Sequence, residues 1–247
     1  MIFRKAAYSI AVVLAGLAAV QPSSAGDKRA VLELFTSQGC SSCPAADRLL
    51  GDLTQDPSLI TMSLAVDYWD YLGWQDTLAL HGHTKRERAY AATRGDRDVY
   101  TPQVVVNGSV AVLGSDKAAI ERAIAQTRAK GQPLSVPVTL KIVDDKIVAE
   151  VPDATGVPRQ AEVWLCPITG KITVNVGRGE NSGKTLTYYN VVRGWKKLGD
   201  WNGKAASFSH PLDDVKGADI DTFAVLVQSG ASAKPGVVLG AATIAAR

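Results

Sequence analysis

Between a run that reads as a strand and a run that reads as a helix, this chain carries Gln38-Gly39-Cys40-Ser41-Ser42-Cys43-Pro44. Upstream, Ala30-Val31-Leu32-Glu33-Leu34-Phe35 is short, largely apolar and bounded by Thr36, Ser37 and Gly39, which suits a mostly buried strand. Downstream, Ala46, Leu49, Leu50 and Leu53 recur at helical spacing, Gly51 is a mild breaker and Asp56-Pro57 is a stop. Two cysteines separated by two residues are thereby set at the start of a helix. Unpaired backbone N–H groups and the positive end of the helix dipole favour a thiolate there, so the first cysteine should be more acidic than a free thiol at about 8.5. Spacing and position together point to a redox dithiol.

The beginning of the chain reads as a leader. Arg4 and Lys5 precede an apolar run from Ala6 to Val20, and Ser23 and Ala25 stand where a cleavage site wants small residues. An apolar core of roughly 15 residues falls short of the roughly 20 needed to span a bilayer. The expectation is a signal peptide over 1–25, an exported protein, periplasmic or secreted, and no membrane span once the leader is removed. Losing Arg4 and Lys5 takes 27 bases to 25 against 24 acids, a balance of +1. So even a charge offers no electrostatic case for nucleic acid.

Three cysteines in an exported chain do not make a stapled framework; here there is one close pair and a distant Cys166. A bridge closing only four residues is worth about 2 kcal/mol before strain, against about 4.7 for a 100-residue loop. A structural staple would not be placed so.

After the first helix, Leu59 to Val66 reads as a second buried strand. The segment from Asp67 to Asp76 is rich in aromatics and acids and has no clean period; a helix from about Thr84 to Arg94 follows, closed by Gly95. Tyr100-Thr101-Pro102 then leads into two β-runs, Gln103 to Val106 and Ser109 to Leu113, joined by Asn107-Gly108, a strong hairpin signal. Ser115 or Asp116 caps a helix running to about Ala129, with Ala119, Ile120, Ala123 and Ile124 on its inner face.

The order strand, Cys-x-x-Cys helix, strand, helix, Thr-Pro, hairpin, helix resembles the thioredoxin-like superfamily over about Arg29 to Lys130. The phrases from Glu33 to Pro44 and from Tyr100 to Gly108 look more narrowly like a family of exported bacterial proteins of unsettled function, with a thioredoxin-like half and a β-rich half. The superfamily resemblance implies that Cys40 is the exposed attacking cysteine and Cys43 the buried resolving one, with a thiolate attacking a disulfide and the second thiol releasing the mixed disulfide. It implies a cis bond before Pro102, aiming the Thr101 backbone at the dithiol where an extended substrate strand can pair. Ser-Ser between the cysteines, Pro44 after them and no tryptophan just before Cys40 depart from thioredoxin proper and leave the direction of electron flow open.

Glu33 shares a strand face with Val31 and Phe35 by alternation. It is either a proton acceptor for Cys43, its pKa raised among apolar neighbours, or a strand-edge charge facing water. Trp69 and Trp74 either line a substrate groove beside the dithiol or pack their area against the sheet. His81 and His83 could join the two thiols as a copper or zinc site, or be solvated. Cys166 reads as a small buried apolar side chain, and Lys85-Arg86-Glu87-Arg88 as a solvated helix face.

Beyond Lys130-Gly131-Gln132-Pro133 the composition turns β-rich: Val136 to Val143, Lys146 to Val151, Ala161 to Leu165, Lys171 to Val176, Thr185 to Val192 and Thr222 to Gln228, with Asp144-Asp145 a hairpin tip. Gly179 to Thr185 invites a phosphate-loop reading, but Arg178 stands where the first glycine belongs and no helix follows, so no nucleotide is expected.

The expected architecture is therefore an α/β thioredoxin-like domain over 27–130, a mixed central sheet flanked by helices, followed by an all-β sandwich-like domain over 133–247. The expected function is thiol–disulfide exchange with protein substrates and an unidentified redox partner, with no cofactor beyond the Cys40–Cys43 disulfide and no resident metal. The alternatives are a metal-binding or metal-delivery protein and a non-catalytic binding module.

Overall fold

A computed structural model describes residues 23–24, 28–131 and 133–246; the leader expected over 1–25 lies almost wholly outside the described residues. The elements, in chain order, are β1 (Ser23–Ser24), β2 (Ala30–Thr36), α1 (Cys43–Leu53), β3 (Leu59–Ala65), α2 (His81–Arg94), β4 (Gln103–Val106), β5 (Val110–Leu113) and α3 (Lys117–Ala129). They continue as β6 (Thr139–Val143), β7 (Lys146–Val151), β8 (Ala161–Asn175), β9 (Thr185–Val192), β10 (Lys196–Trp201), β11 (Ala206–Pro211), β12 (Thr222–Ala231) and β13 (Lys234–Ala245). No helix among the described residues is long and apolar enough to cross a membrane.

Local chemistry sets these boundaries. Pro44 stands in the first turn of α1, where a missing N–H costs nothing. Asp116 caps α3, its side chain accepting from the Ala119 N–H at 2.9 Å. Asn107 and Gly108 take φ of 50° and 69° at the β4–β5 turn, and Asp144 and Asp145 take 48° and 56° at the β6–β7 tip. Gly51, inside α1, answers to packing: a β-carbon there would stand 2.5 Å from Tyr189 Cε2.

The fold is mostly β, and this corrects the expected fold class. A single nine-stranded mixed sheet runs β13-β12-β8-β9-β3-β2-β4-β5, with β10 also on β8; a four-stranded sheet runs β1-β6-β7-β11. Strands from beyond residue 133 thus continue the sheet of the first half, instead of forming a β-sandwich after a helix-flanked α/β core. The seam is parallel, β3 meeting β9 at Ser63 and Val191. The expectation failed because an apolar β-run advertises edges and faces but not the identity of its partner. It also split β8 in two at Pro167 and Gly170, although the strand is continuous, its first part buried on both faces and its second alternating.

Alternation along β2 sorts the cores. Leu32 and Leu34 face α1 and α3, with Ala46, Leu50, Ile120 and Ile124. Val31 and Phe35 face the other way, into a core shared with Tyr90 of α2 and with Cys166, Ala224, Leu226 and Val238 from the second half. The sheet curls, so that the Val238 N–H of β13 donates to Asn107 O at the β4–β5 turn, 3.1 Å away. A third core lies between the two sheets around Val163, Phe223, Val225, Leu140, Ile147 and Trp201.

Candidate functional site

Cys40 and Cys43 are joined as a disulfide in the turn that leads from β2 into α1. Across from them the Thr101–Pro102 bond is cis, and the Thr101 carbonyl oxygen lies 3.7 Å from Cys40 Sγ. In the disulfide this is a packing contact; once reduced, the thiol can donate to that oxygen. The Ser42 hydroxyl stands 3.4 Å from the same sulfur. Topology explains the meeting: β4 is the antiparallel neighbour of β2, so the segment entering β4 stands beside the turn leaving β2.

The exposed Cys40 implied by the resemblance is not what the structure holds. Cys40 is 1% exposed and Cys43 0%. Trp69 forms part of the cover: its Nε1 donates to Thr101 Oγ1 at 2.8 Å. A β-carbon on Gly39 would stand 2.8 Å from Trp69 Cβ, so glycine is what lets this segment close over the turn. The Trp69 ring stacks with that of the exposed Tyr71. Trp74 donates from Nε1 to Gln38 Oε1 at 2.7 Å. Both tryptophans thus adjoin the dithiol turn while being held by hydrogen bonds and packing.

The other part of the cover comes from residues that sequence reasoning missed. The connection between β8 and β9 brings Asn181, fully buried, onto the turn, where its Nδ2 donates to Gln38 O at 2.9 Å and Cys40 O at 2.8 Å. Beside it Glu180 Oε2 accepts from the Ser41 N–H at 3.1 Å. From the aromatic segment, Asp76 Oδ2 accepts from the Gln38 N–H at 2.7 Å. The only sequence signal for this connection was a polar run between glycines, and nothing in such a run names position 40.

Glu33 lies on the sheet face turned away from α1. It is fully buried, receives Arg86 Nε at 2.5 Å and Nη2 at 3.1 Å, and accepts from the Tyr90 hydroxyl at 2.7 Å. Gln228 completes the network, its Oε1 accepting from Arg86 Nη2 at 2.9 Å and its Nε2 donating to the Tyr90 hydroxyl at 2.7 Å. Alternation did pair Glu33 with Val31 and Phe35, but that face carries neither cysteine. The solvated helix face expected at 85–88 is likewise corrected: Arg86 and Glu87 turn inward, and burial pushes the Glu87 carboxyl up to about 8.

The acid that does stand near Cys43 is Asp47, one helical turn further along α1 and on the same buried face. Thr36 Oγ1 donates to its Oδ1 at 2.8 Å, while Oδ2 is buried without a hydrogen-bond partner. Burial pushes this carboxyl up to about 8. Asp76 and the unpartnered Tyr188 hydroxyl lie close enough to act on it electrostatically, and burial raises both of their pKa values as well.

The histidines do not join the thiols. His81 pairs through Nδ1 with Asp67 Oδ2 at 2.8 Å, and buried His83 donates from Nδ1 to Ala65 O at 2.9 Å. Among the described residues no group of three or more His, Cys, Asp or Glu side chains is placed to hold a metal ion. Cys166 is a buried free thiol whose pKa burial drives upward.

Fold and site define a mostly β protein whose curled mixed sheet presents a covered Cys-x-x-Cys disulfide at a helix entrance. The chain belongs to the DUF1223 family of proteins of unknown function, whose pattern it matches over residues 31–228. It is similar to the crystal structure of protein AGR_C_4864 from Agrobacterium tumefaciens, a structural genomics target, with 33% identity, TM-score 0.79, and coverage of 89% of this chain and 95% of that one. It also shares a fold with HBP35 of Porphyromonas gingivalis, at 16% identity and TM-score 0.55, over 88% of this chain and 75% of that one. No curated protein matches it.

Proposed function

We propose that this protein exchanges disulfides with protein substrates through Cys40 and Cys43. The observation that carries the reading is the Cys40–Cys43 bond at the mouth of α1 with the Thr101 carbonyl 3.7 Å from Cys40 Sγ. A helix entrance stabilises a thiolate, and a main-chain carbonyl beside the sulfur is an edge on which an extended substrate strand can pair. That juxtaposition is also the part of the thioredoxin-like resemblance that supports kinship of the β2–α3 segment with that superfamily. An exported location, proposed on the leader pattern, adds a compartment in which such chemistry has substrates.

In the reducing direction, Cys40 thiolate attacks one sulfur of a substrate disulfide. A mixed disulfide forms, the substrate's other sulfur leaves as a thiolate and takes a proton from water. Cys43 then gives its proton to Asp47 in the molecules whose carboxyl is ionised, a minority near neutral pH and the majority above about pH 8, and attacks Cys40 Sγ, which closes the internal disulfide and releases the second substrate thiolate. Two electrons have passed to the substrate, and a partner dithiol, itself oxidised to a disulfide, restores Cys40 and Cys43. The reverse sequence oxidises a substrate dithiol. Asp47 suits either direction because its pKa, about 8, is close to that of a thiol, so little free energy is lost in passing the proton. The Trp69–Thr101 contact must open for a substrate sulfur to reach Cys40.

The test is trapping. Cys43→Ser should hold a substrate on Cys40 as a mixed disulfide, and Cys40→Ser should hold almost none, because Cys43, the first residue of α1, has no exposed surface. Equal trapping by both variants, or none by either with a disulfide substrate present, would remove the mechanism and leave a non-catalytic binding module. The reduction potential of the pair, measured against glutathione, then fixes the direction.

A further inference from the structure

On the side of the molecule where α2 packs, the helix, β8, the β9–β10 connection and the β12–β13 turn enclose a pocket of about 380 Å³. Its walls are the rings of Trp164 and Trp195, which meet edge to face with centroids 6.3 Å apart, together with Ala89 and Ala233. Lys85 stands at its rim and Arg86 lines it, and no acidic side chain does.

Arg86 is the unusual member. Its guanidinium lies 4.1 Å from the Trp195 ring centre, its side chain is 10% exposed, and its Nε and Nη2 are spent on Glu33, Tyr90 and Gln228. Among the described residues Nη1 has no acceptor and is not one of the fully buried, unpartnered atoms. Nη1 therefore keeps some exposed surface on a side chain that lines this pocket, and its two N–H donors are free. Lys85 is exposed and has no acidic partner among the described residues. A cavity with indole walls, two cationic donors and no anion selects a flat apolar body bearing one negative charge. The mostly apolar lining favours a singly charged group over a phosphate dianion, whose dehydration costs more.

We propose that this pocket is a binding site for a small aromatic carboxylate, its ring against Trp164 and its carboxylate on Arg86 Nη1 and Lys85 Nζ. The volume suits one ring or two fused rings. The site stands apart from the dithiol, so occupancy does not require Cys40 or Cys43.

The experiment titrates the oxidised full-length protein with phenylacetate and indoleacetate, and with the corresponding uncharged amides, following tryptophan fluorescence and heat. Saturable binding of the acids with Kd of about 0.1–1 mM is expected for ligands of this size. The amides should bind at least about tenfold more weakly, because they lose the charge-assisted hydrogen bonds. Lys85→Glu, an exposed change that the fold tolerates, should weaken the acids at least about fivefold, and Ala233→Trp should abolish binding by filling the cavity. A Cys40→Ser, Cys43→Ser double variant should bind the acids unchanged, which separates this site from the redox reading. Equal binding of acid and amide, full affinity in Lys85→Glu, or no saturation by about 10 mM, a Kd too weak for a built site, would each overturn the proposal. Should Ala233→Trp not fold, as judged by circular dichroism, the Lys85→Glu and amide results decide alone.

Discussion

Asn181 and Cys40 stand 141 residues apart and are joined by a hydrogen bond of 2.8 Å, from the Asn181 side-chain amide to the Cys40 carbonyl. The same Nδ2 also serves Gln38 O, so one buried side chain satisfies two carbonyls of the dithiol turn. Asn181→Ala leaves the Gln38 oxygen unpaired and the Cys40 oxygen with the Cys43 N–H alone, 3.2 Å away, at a cost of about 2 kcal/mol. Asn181→Asp should cost more, because a carboxylate oxygen cannot donate and would face two carbonyl oxygens. Denaturant unfolding measures both. In the reduced Asn181→Ala protein, Cys40 should also be alkylated faster than in the parent, since part of its cover is released.

Glu180 acts on the same turn by charge. Its carboxylate accepts from the Ser41 N–H, a donor that would otherwise help to stabilise a Cys40 thiolate. Glu180→Gln removes a negative charge from the helix entrance, so the Cys40 pKa should fall by about half a unit, the size of one water-screened charge at this range. The disulfide should become correspondingly more oxidising. Thiolate absorbance against pH reads the shift, which should shrink in high salt because Glu180 is exposed. A rise in the pKa, or no change at low salt, would refute this role.

Asp47 links pH to both stability and exchange. Its carboxyl titrates near 3.8 when solvated and at about 8 in the fold, so between those values the native state holds a proton that the unfolded state has lost. Stability should therefore fall as pH rises from about 4 to about 8, by up to about 1.4 kcal/mol per pH unit, and level off above. Asp47→Asn should remove this part of the slope, while Glu87, raised to about 8 by burial, keeps its own. The same variant should slow release of the mixed disulfide by about 100-fold near neutral pH, the low end for a lost proton acceptor. Single-turnover kinetics across pH would detect that loss as a missing inflection.

Glu33 makes the complementary case. Glu33→Gln leaves Arg86 charged and nine-tenths buried with its partner neutralised, which should destabilise the protein by about 3–5 kcal/mol. The pH dependence of Cys43 reactivity should stay as in the parent, because Glu33 lies across the sheet from α1. A shifted Cys43 profile with unaltered stability would return Glu33 to the role of proton acceptor.

The sequence by itself determined what is local. The apolar run of β2, the cysteines at the entrance of α1, Pro44 in its first turn, Asp116 as the cap of α3 and Asn107-Gly108 at the β4–β5 turn are all written in neighbouring residues, because propensity, capping and turn chemistry act over a few positions. Tertiary structure decided which edge met which. The periodicity of β8 does not state that it will pair with β12 on one edge and with β9 and β10 on the other, and the alternation that grouped Glu33 with Val31 and Phe35 does not state which face α1 will cover. Only the joining of β3 to β9 carries the connection around Asn181 onto Cys40, and only the curl of the sheet brings Gln228 to Tyr90. Those contacts are made by hydrogen bonds and burial between segments more than a hundred residues apart, where a one-dimensional pattern holds no record of distance.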